Sequence, residues 1–126
     1  MRILVVEDSD SIRSMIQTFM TARGHEVEAV STGVKGIDAA LARRPDAILL
    51  DLHLPGSFDG LQVCRQLRAE ELTRTVPIIF ISAMADDSAK ARALEAGATA
   101  YYTKPFSPTA LLKELESTSG SHLVHR

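Results

Sequence analysis

The sequence predicts an α/β protein of five βα units, with a parallel sheet covered by helices on both faces. Five short apolar runs, at 3–6, 27–30, 47–50, 78–81 and 99–103, are each followed by a stretch long enough for a helix. The first, third and fourth runs are continuous rather than alternating, the pattern of strands buried on both faces. A length of 126 residues, 45% hydrophobic and 24% charged, suits one globular domain and leaves no room for a second.

The first strand, Ile3 to Val6, leads into a helix in which Ile12, Met15, Ile16, Phe19 and Met20 recur at helical spacing. Ser9 or Asp10 can cap its start, Gly24 follows its end, and its apolar stripe is expected to face the sheet. After Val27 to Val30, a second helix is predicted from Val34 to Arg44, before Pro45. Ala47 to Leu50 precedes a third, Leu61 to Glu71, with Leu61, Cys64 and Leu67 inward. Ile78 to Ile81 precedes a fourth, Asp87 to Ala96, which is mostly alanine, has Leu94 as its one large apolar residue and stops at Gly97. So little buried area places this helix at the low-stability end of the fold, where switching elements are found, or makes it a short cover over a narrow groove. Thr99 to Thr103 precedes a fifth, Pro108 to Ser117, with Leu111, Leu112 and Leu115 inward. Residues 1–118 are expected to form the domain and 119–126 a flexible tail holding the solvated His122 and His125.

Fourteen basic and sixteen acidic residues give a formal charge of -2, which points to neither a nucleic-acid nor a membrane surface. Cys64 has no second thiol to pair with and no metal-ligand spacing, so it reads as a core residue. The apolar run after Met1 is too short for a signal peptide or a membrane span, and a cytoplasmic protein is expected.

In an open parallel α/β sheet, ligands sit at the carboxyl ends of the strands. Glu7 and Asp8 end the first strand, Asp51 the third and Ser82 the fourth, and Lys104 follows the fifth. Singly, each reads as a helix cap, a solvated turn residue or a surface side chain. Together, three carboxylates repel one another unless a cation or a proton sits among them. Oxygen-only ligands suit Mg²⁺ or Mn²⁺, and Mg²⁺ keeps coordination positions open to phosphate oxygens. A carboxylate can attack phosphorus to give an aspartyl phosphate, with Lys104 and the metal supplying positive charge and Ser82 a hydrogen bond to an equatorial oxygen.

The segments Val5-Val6-Glu7-Asp8-Ser9, Asp51-Leu52-His53-Leu54-Pro55-Gly56, Ile81-Ser82-Ala83, Gly97-Ala98 and Tyr101-Tyr102-Thr103-Lys104-Pro105-Phe106 carry a resemblance to the response-regulator receiver family of two-component signalling. It covers nearly the whole chain. The resemblance implies a doubly wound, flavodoxin-like (βα)5 sandwich with strand order 2-1-3-4-5. It implies that Asp51 is the phosphoacceptor, that Glu7, Asp8, Asp51 and the His53 main-chain carbonyl hold Mg²⁺, and that Ser82 and Lys104 contact the phosphoryl group. Tyr101 matches the switch aromatic better than Tyr102 does, and the Lys104-Pro105 bond resembles the family's cis peptide.

The function implied is a switch phosphorylated by a histidine kinase or histidine phosphotransfer protein, with no enzyme activity beyond its own phosphorylation and dephosphorylation. Phosphorylation would remodel the face of helix four, strand five and helix five, and so control a downstream effector, an output domain or a phosphorylation-dependent dimer. Glu7 stands where an aspartate is commoner and is expected to reach the metal through water. Ser57 and Phe58 lengthen the loop after Asp51 by one residue, with Phe58 either a hydrophobic plug or a partner contact. His53 and Met84 match positions that influence phosphoryl lifetime, and His53 reads as a solvated gatekeeper. One alternative is a Mg²⁺-dependent phosphohydrolase, which would usually carry a second acid where His53 stands. Another is an unphosphorylated scaffold, which would be expected to have lost an acid or Lys104.

Overall fold

Strands that are apolar on both faces need cover on both, and the computed structural model, which describes residues 1–119, provides it with two layers of helices. The chain runs β1 (Arg2–Val6), α1 (Asp10–Ala22), β2 (Glu26–Val30), α2 (Gly33–Ala42), β3 (Ala47–Asp51), α3 (Gly60–Ala69), β4 (Ile78–Ser82), α4 (Asp87–Glu95), β5 (Ala100–Thr103) and α5 (Pro108–Ser119). All neighbouring strands pair in parallel, in the order β2-β1-β3-β4-β5, as the resemblance implies.

The period of two along a strand divides the core. Ile3, Val5, Ala47, Leu49, Ile79 and Ile81 face Ile16 and Met20 of α1 and Leu111, Leu112 and Leu115 of α5. Leu4, Val6, Ile48, Leu50, Ile78 and Phe80 face Ile37 and Ala40 of α2, Val63, Cys64 and Leu67 of α3, and Ala89 and Ala93 of α4. Cys64 is thus a core residue, and its thiol donates to the Ala96 carbonyl at 3.3 Å. Burial pushes that thiol up to about 11, which keeps it protonated and unreactive.

The helices begin where a side chain can accept from a free backbone N–H. Ser9, not Asp10, caps α1, with its Oγ accepting from the Ile12 N–H at 3.3 Å. Thr32 and Asp86 cap α2 and α4, and Asp59 with Gln62 forms a reciprocal capping box at α3. Caps just ahead of them start α2 and α3 one residue earlier than their apolar pattern suggests, at Gly33 and Gly60.

Two side chains depart from the expected pattern. Met15 is 40% exposed: the buried arc of α1 centres on Ile16 and Met20, and one residue of helix turns Met15 about 100° away. Leu94 is 58% exposed, so α4 holds its place through Ala89 and Ala93 and buries even less than its sequence suggests. The tail expected at 119–126 lies outside the described residues apart from Ser119, which belongs to α5. Among the described residues no helix is long and apolar enough to cross a membrane.

The contrast between sheet and α4 is measurable by urea denaturation. Ile79→Ala, at a site with no exposure, is expected to cost about 3 kcal/mol. Leu94→Ala should stay within about 0.5 kcal/mol of the parent, and a large loss there would contradict the exposed placement.

Candidate functional site

The sheet ladders carry on past the strand ends and bring the polar residues together. Glu7 N–H donates to the Val30 carbonyl at 3.0 Å, and Lys104 N–H donates to the Ser82 carbonyl at 2.7 Å. Asp51 pairs with Ile81 and Ser82 with Thr103, so four strand ends open onto one site. Carboxylate oxygens of Glu7, Asp8 and Asp51 lie within 4.8 Å of one another. Glu7 is fully buried, Asp51 is 3% exposed, and Asp8 faces solvent.

Each buried acid is held by a backbone donor and by one amine. Ser9 N–H donates to Glu7 Oε2 at 2.9 Å, and His53 N–H donates to Asp51 Oδ1 at 3.1 Å. Lys104 Nζ stands 3.0 Å from Glu7 Oε1 and 3.4 Å from Asp51 Oδ2. The Lys104-Pro105 peptide preceding α5 is cis. Burial works against the Lys104 charge, but the carboxylates of Glu7 and Asp51 outweigh it and raise the pKa of the ammonium. Asp51 is pushed up to about 7, first by burial and then by the charge of Glu7, against the pull of the His53 N–H and Lys104.

Three carboxylates against one ammonium leave an excess of negative charge in a largely buried site. Glu7 Oε1 is met only by the Lys104 ammonium, at 3.0 Å, and that one positive charge is shared with Asp51. All the donors are hard oxygens, and Asp8 keeps one side open to water. This fits Mg²⁺, which favours a few carboxylates plus water or phosphate oxygens.

Beside the acids, Met84 joins the remaining predicted residues. Ser82, fully buried, accepts from the Met84 N–H at 3.0 Å, and the Tyr101 hydroxyl donates to the Met84 carbonyl at 2.7 Å. Met84 Sδ lies 2.9 Å from His53 Nε2, so His53, exposed as expected, meets Met84 across the mouth of the site. The Tyr101 ring stacks on Phe80 at 6.4 Å. Tyr102 lies on the other face of the sheet and bonds Glu114 Oε1 at 3.1 Å, well apart from this group. Phe58 packs half-buried against the α2 and α3 core, as a plug would.

Two residues that support the site were given no role there from the sequence. A Cβ at Gly60 would collide with main-chain oxygens of Asp51 and Leu52, so only glycine lets α3 start this close to the acid. Arg13 Nη1 donates to the Glu7 carbonyl at 2.9 Å. In sequence Arg13 is only a basic residue on the polar side of an amphipathic helix.

Comparison with known proteins agrees with this geometry. Residues 3–116 match the family described as the response regulator receiver domain. The chain is 42% identical over 115 residues to the transcriptional regulatory protein CseB of Streptomyces avermitilis, covering 91% of this chain and 47% of that protein. It is 38% identical to the phosphate regulon transcriptional regulatory protein PhoB of Pseudomonas aeruginosa, covering 91% and 50%. The chain therefore spans about half the length of the curated relatives it matches. Among solved structures, the receiver domain of sensor histidine kinase PA1611 from Pseudomonas aeruginosa, with a magnesium ion in its active-site cleft, superposes with a TM-score of 0.87 at 35% identity, covering 94% of this chain and 97% of that one. The BeF3-activated receiver domain of Klebsiella pneumoniae RstA gives 0.87 at 28% identity, covering 95% and 99%.

The raised Asp51 value fixes a pH dependence for the metal-free protein. Below the unfolded value of 3.8 Asp51 is neutral in both states; between there and about 7 only the folded state holds its proton, so stability falls as pH rises through this window. In EDTA, Asp51→Asn should therefore gain stability relative to the parent between pH 4.5 and 7.5, on the order of 2 kcal/mol by urea denaturation. A difference that stays flat with pH would show that Asp51 keeps an ordinary carboxylate pKa.

Proposed function

The chain belongs to the response regulator receiver family, and from that membership we propose that it is a Mg²⁺-dependent phosphorylation switch with Asp51 as its phosphoacceptor. The observation that carries this reading is the cluster of Glu7, Asp8 and Asp51, whose carboxylate oxygens lie within 4.8 Å of one another while the two buried acids share one ammonium. Glu7, Asp8, Asp51 and the His53 main-chain carbonyl would hold the metal, and Mn²⁺ should substitute because the donors are the same hard oxygens. When bound, the metal neutralises the acids and the charge that develops on the phosphoryl oxygens.

The chain's own residues do the rest. An Asp51 carboxylate oxygen attacks phosphorus, the bond to the donor's imidazole nitrogen or acyl oxygen breaks, and the leaving group takes up the electron pair. Lys104, within ion-pair reach of Asp51, stays close to the new phosphoryl oxygens. Ser82 exchanges its Met84 N–H for a role as donor to one of these oxygens, and Met84 passes the change to Tyr101 and His53 through bonds it already makes. The α4, β5 and α5 face then changes shape and selects a partner. His53 and Met84 flank the entrance and set how fast water removes the phosphoryl group.

A histidine kinase or histidine phosphotransfer protein is the proposed donor, in the cytoplasm. The proposed receiver of the signal is an effector or an attached output domain, which accords with relatives about twice this length; phosphorylation-dependent pairing of two copies is one form it can take. No catalysis beyond the chain's own phosphorylation and dephosphorylation is proposed.

Incubation with a small acyl phosphate and Mg²⁺, followed by intact-mass measurement, is expected to show one phosphoryl adduct. The adduct should be absent in Asp51→Asn and in EDTA. Rapid turnover of a phosphoester with no adduct would favour a phosphohydrolase instead. Neither adduct nor turnover would reduce the chain to a scaffold.

A further inference from the structure

Arg13 sits in the first turns of α1, with its side chain 23% exposed. Its Nη2 pairs with Asp10 Oδ1 at 2.6 Å, an ordinary pair at i, i+3 on a helix surface. Its Nη1 turns the other way and donates to the main-chain carbonyl of Glu7 at 2.9 Å and more weakly to that of Asp8 at 3.5 Å. These carbonyls belong to the two residues whose side chains point their carboxylates into the cation site. Glu7 leaves the sheet here: its N–H still bonds Val30 in the ladder, while its carbonyl is taken by the guanidinium.

We infer that Arg13 is a positioning residue for the divalent cation, fixing the peptide planes of Glu7 and Asp8 so that both carboxylates are aimed before the ion arrives. The geometry suits that task. An arginine paired with the carboxylates themselves would compete with the metal, whereas one bound to their carbonyls leaves the carboxylate oxygens free. Glu7 needs such support more than an aspartate would, since its longer side chain has one more torsion to order. Ser9 N–H on Glu7 Oε2 holds the tip of that side chain, and Arg13 holds its root.

The inference rests on the reading of Glu7, Asp8 and Asp51 as a Mg²⁺ site, and calorimetric titration with Mg²⁺ alone separates the two. If the parent protein binds no Mg²⁺, the site reading itself falls. If the parent binds, Arg13→Ala is expected to weaken the dissociation constant by about tenfold, as loss of an outer partner of a metal ligand does. Arg13→Lys should recover part of this, because an ammonium can reach the Glu7 carbonyl but lacks the planar guanidinium that spans both the Glu7 and Asp8 carbonyls. Asp10→Asn, which removes the ion pair and leaves the carbonyl bonds, should stay within about twofold of the parent. At saturating Mg²⁺ the phosphoryl adduct yield of Arg13→Ala should return to the parent value, a split that a general loss of folding would not give. Should Arg13→Ala fail to fold, Arg13→Met, which keeps the apolar stem but carries no donor, takes its place in the titration. Unchanged affinity in the variant used would overturn the inference, as would equal weakening in Asp10→Asn or an adduct yield that excess Mg²⁺ does not restore.

Discussion

The repulsion among Glu7, Asp8 and Asp51 is the constraint on which the rest of this structure turns. Two of the three acids are buried almost completely, in a place where like charges are poorly screened, and a single lysine stands between them. Such a cluster is affordable only on a rigid support. The support is the sheet, whose central strands β1, β3 and β4 contribute apolar side chains with little or no exposure to both helical layers. Burial that stabilises the strands is thus also what forces the acids at their ends into proximity and raises the pKa of Asp51.

The same constraint leaves the buried acids little room to relax, which suits the site to a cation. Glu7 cannot swing out to water, since its Oε2 is bonded by Ser9 N–H and its backbone is held by Val30 on one side and Arg13 on the other. Asp51 is the last residue of β3, and Gly60 lets α3 begin directly against its carbonyl. With both buried acids fixed, charge must come to them. Lys104 brings one positive charge to a cluster of three carboxylates, so a shortfall of positive charge remains among them.

Much of this was legible in the residues. The strands were readable because continuous apolar runs flanked by helical periodicity have few other solutions, and the acids because they stand at the ends of those runs. Side-chain direction was harder. Met15 fits the helical spacing of its neighbours but lies at the edge of the buried arc, and Leu94 is the apolar residue of α4 that turns outward. Those positions depend on the helix's rotation, which tertiary packing sets. Tyr101 and Tyr102 differ by one residue in a strand, which sends one toward Met84 and the other toward Glu114. Arg13 was out of reach for a different reason: it acts on main-chain carbonyls, which no residue type reveals. The steric role of Gly60 was equally hidden because it is the absence of a side chain.

On the proposed reading, coupling from the site to the surface depends on how α4 is attached. Its C-terminal end is fastened from two sides: the Cys64 thiol bonds the Ala96 carbonyl at 3.3 Å, and Arg68 Nε bonds the Gly97 carbonyl at 2.9 Å while Nη1 reaches the Val76 carbonyl at 2.6 Å. Its N-terminal end is capped by Asp86, two residues beyond Met84, and the helix between rests on two alanines. On the proposed reading, a pull on Ser82 therefore reaches α4 at its lightly held end, through the segment that Tyr101 and His53 also touch. An alanine-lined helix can pivot there without opening a large cavity, because small side chains leave little volume behind when they move. The weakness of α4, read first as a shortage of apolar residues, is then what lets a charge change at Asp51 become a change of shape at the surface.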